Sequence, residues 1–168
     1  AGRGWIQLPP DEVMRLAETC AKEATAADQA IFDALLLEAT TASLPTVPLL
    51  HRMRADWLVR TGRWPAAADE LHALLQSPAV SFSALDRCDL TWRLVLWLDQ
   101  LHRDRTMLRW LRWLAWHEPR PDNQESALER LIAHFLARGQ EGRARVCARR
   151  QARLARDRGI ARHWYQRA

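Results

Sequence analysis

The chain has 168 residues, 48% of them hydrophobic, enough for one ordinary domain core and too apolar for a disordered segment. Its formal charge is +5, and because Lys22 is the only lysine the positive charge is almost all arginine. The longest apolar stretches, Ile31 to Leu37 and Leu94 to Leu98, fall far short of the ~20 residues that cross a bilayer, so no membrane partner is expected. Cys20, Cys88 and Cys147 stand far apart without a C-x-x-C pair, and an odd number closes no full disulfide framework. They are expected to be small buried hydrophobes in a reducing, cytoplasmic compartment. The start, Ala1-Gly2-Arg3-Gly4, lacks an initiator Met and an apolar signal core, which reads as a piece of a longer protein.

Strand signals are nearly absent, and apolar residues recur at three and four rather than at two, so helices carry the fold. Pro9-Pro10 before Asp11-Glu12 starts a first helix leading into Val13, Leu16 and Cys20. A second is expected over about 27–42, a third over about 47–61 stopping at Gly62, and a fourth from Pro65 to just before Pro78. Ser83 caps a fifth, running to Leu101, and Asp104 starts a sixth that ends at His117 before Pro119. Asn123 opens a seventh that ends at Gly139. An eighth starts at Glu141 and stops at Gly159, leaving a short last segment with Trp164 and Tyr165.

The punctuation repeats. Taking the turn inside each pair as an anchor, Thr25, Gly62, His102 and Gly139 are 37, 40 and 37 residues apart (62 − 25, 102 − 62, 139 − 102). Five positions after each anchor stand Ala30, Ala67, Met107 and Ala144, and nine after stand Ala34, Leu71, Leu111 and Ala148. Eight and four before, apolar residues recur in three pairs, while the second pair has Arg54 and Leu58.

Gly62-Arg63-Trp64-Pro65-Ala66-Ala67, with Leu71 and Leu74 beyond it, resembles the G-x-[YW]-x-x-A turn of a tetratricopeptide repeat. Thr25 and His102 replace the turn glycine in other pairs, and the spacing exceeds the family's 34 residues. The resemblance is to a degenerate array, similar to those in bacterial transcriptional regulators and signalling proteins. It implies an all-α fold: a single domain forming a right-handed α-solenoid of about four antiparallel hairpins, over about 11–42, 47–77, 83–117 and 123–158. Its first helices would line a concave groove offering Arg52, Asp56, Val59 and Arg60 from the second pair. The third pair would offer Trp92, Leu96, Asp99 and Gln100, and the fourth Glu129, Ala133 and Leu136.

The helix over 84–101 is apolar on two faces, with Leu90, Leu94, Trp97, Leu98 and Leu101 on one and Trp92 with Leu96 roughly opposite. Two readings stand: a helix sandwiched within the array, or a hot spot of Trp92 and Leu96 ringed by Arg52, Arg60 and Asp99. A second unusual stretch lies over 107–116, read either as packing against the next hairpin or as an interface open to self-association. There Met107, Trp110, Leu111 and Leu114 share one face, and Trp113 and Trp116 lie on another near Arg109 and Arg112.

From Arg138 to the end there are ten Arg against Glu141 and Asp157 alone. Arg143, Arg145, Arg149, Arg150, Arg153 and Arg156 could meet an anionic partner, nucleic acid included, or form a solvated face. They spread over much of the helix circumference, which argues against one phosphate-tracking stripe. Asp69 and His72 are one turn apart but make no metal site on their own, and Pro119 rules out a zinc helix at His117-Glu118. The scattered glycines leave no phosphate cradle. No enzyme, cofactor or metal is therefore expected. The chain is expected to be a regulatory or scaffold module that holds a protein or peptide. A nucleic-acid-associated domain and a secretion chaperone of tetratricopeptide type are the alternatives.

Overall fold

The computed structural model describes residues 15, 19, 28–41, 47–78 and 80–165, and these contain helices and no strand. The chain divides into two compact units, Ala1–Ser81 and Phe82–Ala168. The first expected helix and the Thr25 anchor lie outside the described residues, except that Arg15 and Thr19 are helical and the Thr19 hydroxyl donates to the Arg15 carbonyl at 2.9 Å.

In the first unit, α1 (Asp28–Thr41) packs on α2 (Val47–Arg60), and α2 on α3 (Trp64–Gln76). Phe32, Leu35, Leu50, Trp57, Leu58, Leu71 and Leu75 are buried, with the Phe32 and Trp57 rings 6.0 Å apart. Arg54, which broke the apolar pattern of the repeat, has a structural reason. Its guanidinium reaches Asp33 on α1 at 2.6 Å and Glu70 on α3 at 3.0 Å. Glu70 also pairs with His51 at 2.5 Å. Burial pushes the Glu70 carboxyl up, but the His51 hydrogen bond and the Arg54 charge outweigh it and hold it below the usual carboxylate range.

In the second unit, α4 (Ala84–Gln100), α5 (Asp104–His117), α6 (Pro121–Ala137) and α7 (Glu141–Tyr165) each pack on the next. Ser83 caps α4 by accepting the Asp86 N–H at 3.1 Å. The core takes Leu94, Val95 and Leu98 from α4, Leu111 and Leu114 from α5, Leu128 and Leu131 from α6, and Ala144 and Cys147 from α7. Cys88 and Cys147 are free, buried thiols. Burial and the nearby Glu118 carboxylate push Cys88 up to about 11, and burial raises Cys147, so both behave as apolar filler at neutral pH.

Three expected turns share one geometry. The Gly62, His102 and Gly139 N–H groups donate to Val59, Asp99 and Leu136 at 3.0 Å each. The next residues, Arg63, Arg103 and Gln140, donate to Leu58, Leu98 and Phe135 at 2.8, 2.9 and 2.8 Å. These are the paired bonds of a Schellman ending, which needs a left-handed residue at its centre. Gly62, His102 and Gly139 have φ of 76°, 53° and 65°. His102 thus fills the glycine's role, at the strain an L-residue carries there.

Two boundaries differ from expectation. The helix expected from Asn123 starts at Pro121, which tolerates the first helical position because that N–H has no helical partner. The last helix runs through Gly159 to Tyr165 instead of stopping. Gly159 lacks the positive φ of Gly62 and Gly139, and without that reversal a glycine weakens a helix but does not end it.

Candidate functional site

In the first unit, Arg52, Asp56 and Arg60 recur every four residues on α2, with both arginines exposed and Asp56 half-buried. In the second, Trp92 and Leu96 lie off the buried face of α4 that holds Leu90, Leu94, Trp97 and Leu98. Leu96 is 46% exposed. Trp92 is half-buried, and its indole N–H donates to Glu118 Oε2 at 3.2 Å. Arg130 of α6 stands 6.0 Å over the Trp92 ring and 3.8 Å from Asp99, so Trp92 and Asp99 meet through it. Glu129 turns elsewhere and accepts from Gln151 of α7 at 3.2 Å.

The Glu118 side chain is fully buried at the corner between α5 and α6. Besides Trp92, it accepts the Arg120 backbone N–H at 3.2 Å and the Arg120 Nε at 2.7 Å, and Arg120 reaches on to Asp89 at 2.6 Å. Burial raises the Glu118 carboxyl, and the Arg120 bonds bring it below the usual range. The indole is therefore one member of a satisfied polar cluster.

An apolar cavity lies elsewhere in the second unit. Arg112, Trp113, Trp116 and His117 of α5, Phe135 of α6, and Arg143, Val146 and Cys147 of α7 line an apolar cleft of about 530 Å³. Trp116 is 45% exposed and Val146 58%, while Phe135 is buried beneath them. Beside the cleft, the Arg150 Nε donates to the Ala115 carbonyl at 3.1 Å and its guanidinium stands 5.0 Å over the Trp116 ring. Arg112 and Arg143 both stand over the Phe135 ring, at 5.6 and 5.9 Å.

Sharing Arg112 and Arg143, a neighbouring depression of about 660 Å³ adds Arg105, Arg109 and Arg138, with Asp104 as its one lining carboxylate. Five arginines against one aspartate leave a formal +4 (5 − 1). Asp104 is bound by Arg138, and that hydrogen bond holds its carboxyl below the usual range. Burial and the Arg138 charge lower His134, so it adds no charge at neutral pH.

The structure thus brings Arg112, Trp113 and Trp116 into one cleft and places Arg109 in the adjoining basic depression. It also sorts the α7 arginines. Arg143 and Arg150, seven residues apart, turn toward α5 and α6. Arg145, Arg149, Arg153 and Arg156 are exposed within an arc of roughly 80° beside them at about 100° per residue. The outer four form the stripe that the six together obscured. Arg145 pairs with Glu141 at 3.0 Å, and Arg156 lies 4.0 Å from Asp157.

Sequence reasoning missed Phe135, His117, Val146 and Cys147 as cleft residues. The available signal was Arg143, Val146, Cys147 and Arg150 at helical spacing on one face of α7. Among the described residues no group of three His, Cys, Asp or Glu could hold a metal ion, and no helix is long and apolar enough to cross a membrane. No protein-family model, curated protein or solved structure gives a significant match to the chain.

Proposed function

We propose that this chain is a protein- or peptide-binding module, and that the cleft lined by α5, α6 and α7 is where its second unit receives a ligand. The observation that carries the reading is a cleft of about 530 Å³ that leaves Trp116 and Val146 exposed and has arginines on its rim. Its volume falls in the roughly 300–1,000 Å³ range of ligand-receiving clefts, and exposed Trp beside Arg is the composition of interface hot spots. The three equivalent turns at Gly62, His102 and Gly139 support the scaffold as a degenerate tetratricopeptide-like array of hairpins. By that resemblance, the module is an interaction or sensor domain of a bacterial cytoplasmic regulator.

The test is selection of displayed random peptides on the purified chain, with Trp116→Ala and Val146→Glu variants as counter-screens. Selected peptides are expected to bind the parent chain and to lose at least about tenfold in affinity on either variant, as hot-spot truncations do. Peptides that bind all three forms equally would remove the cleft from the reading.

A second reading rests on the outer stripe of α7, Arg145, Arg149, Arg153 and Arg156, which spans about 16 Å at 1.5 Å per residue. Such a stripe can track a phosphate backbone. Binding to any nucleic-acid sequence that falls steeply with salt would support it, and no binding at low salt would sink it.

A further inference from the structure

We infer that the cleft lined by α5, α6 and α7 takes an amphipathic segment of another protein in which acidic side chains flank large apolar ones. The inference rests on the cleft being the ligand site and adds the chemistry of the ligand.

Four observations converge. The wall is apolar and open, with Trp116 and Val146 available to side chains but already in place around a buried Phe135. The rim is cationic beyond the Asp104–Arg138 pair: Arg105, Arg112 and Arg143 pair with no carboxylate among the described residues. The basic depression adjoins the apolar cleft and shares Arg112 and Arg143 with it, so a single segment can place apolar groups in one and acids in the other.

The fourth observation separates a peptide from a nucleic acid. Nucleobases bind basic grooves by stacking on open aromatic faces. Here each ring already has a partner against a face. His117 stacks on Trp113 at 4.8 Å and 6° between planes, and Arg87 stands 5.4 Å over the same ring. Arg150 covers Trp116, and Arg112 and Arg143 stand over Phe135. With a face of each ring already taken, the cleft suits inserted aliphatic and aromatic side chains better than stacked bases.

The experiment uses the full chain and three labelled synthetic peptides of about fifteen residues, a length that covers a cleft of this size. They share Leu and Phe at helical spacing and carry Glu, Gln or Lys at the remaining positions. Fluorescence anisotropy is read at low and raised salt. The Glu peptide is expected to bind at least about tenfold tighter than the Gln peptide, to weaken with salt, and to exceed the Lys peptide by more. The double variant Arg112→Glu with Arg143→Glu is expected to invert the order, binding Lys over Glu. A gain of binding cannot come from failure to fold, and both positions are exposed.

Equal binding of the Glu and Lys peptides, or tightest binding of the Gln peptide with loss on Trp116→Ala, would overturn the acidic ligand and leave the cleft as the site. If no peptide binds, the inference falls, and the site itself falls only if the displayed-library selection also yields no Trp116-dependent binder. A labelled oligothymidylate that displaces the Glu peptide would reassign the cleft to nucleic acid. Sedimentation showing a dimer that excludes the peptide would reassign it to a second copy of this chain.

Discussion

Trp92 and Trp116 both lie off the core faces of their helices, yet the structure commits them differently. The Trp92 indole donates to Glu118, whose buried carboxylate is also held by Arg120, and Arg130 covers the ring. Trp116 has Arg150 over its ring, no hydrogen bond from its indole among the described residues, and 45% of its surface exposed. A tryptophan off the core is therefore no single signal. What separates the two is whether the indole N–H has a buried acceptor, because a buried carboxylate needs donors and recruits whatever lies near it.

The largest test of this contrast removes the acceptor. Glu118→Ala is expected to cost about 2–4 kcal/mol in urea unfolding, since it deletes a buried carboxylate, strands the Trp92 indole and takes from the Arg120 guanidinium one of its two carboxylates. A cost under about 1 kcal/mol would show that the corner is held by apolar packing alone.

Acid probes the same group more gently. The folded Glu118 carboxyl titrates below its unfolded value, so its contribution to stability is complete above the unfolded carboxylate range and is lost as pH falls through the folded value. Unfolding midpoints measured from about pH 7 down to about pH 3 should fall at the acid end. Glu118→Gln should flatten that decline without abolishing it, because Glu70 in the first unit is also held low and titrates in the same direction. An unchanged slope would mean that the Glu118 cluster does not couple to folding.

Removing only the donor is milder. Trp92→Phe keeps an aromatic ring beneath Arg130 but takes one hydrogen bond from Glu118, for an expected cost of about 1 kcal/mol by thermal or urea unfolding. The Arg120 bonds still satisfy most of the carboxylate, which caps the loss. A cost near that of Glu118→Ala would make the indole the dominant partner.

Much of the fold was legible because its signals are local. Helix period, Ser83 as a cap and the evenly spaced turns depend on residues within a few positions of one another. His102 falls in register with the turn glycines, and its backbone is left-handed as theirs is. Where context decides, the sequence was less informative. Arg54 looked like a break in the pattern until Asp33 and Glu70 were placed on either side of it. Gly159 carried a stop signal that its helical backbone does not use. The cleft was half visible, since Trp113 and Trp116 fall on a second face of α5 near Arg112, set for packing or for an interface. Their partners on α7 lie about thirty residues on, beyond the whole of α6. A helical period tells which residues share a face and is silent about which later helix that face will meet.

The smallest effect is the most diagnostic. Trp116→Phe makes the same chemical change as Trp92→Phe, at a position where the indole N–H has no acceptor to lose. Phenylalanine keeps a ring for Arg150 to cover, and the exposed edge gives up little burial. The urea midpoint should shift by no more than about 0.5 kcal/mol equivalent, within the range of surface substitutions away from special features. A loss above about 1 kcal/mol would place Trp116 beside Trp92 as a structural post, and the open cleft would then have to be read as part of the second unit's own packing.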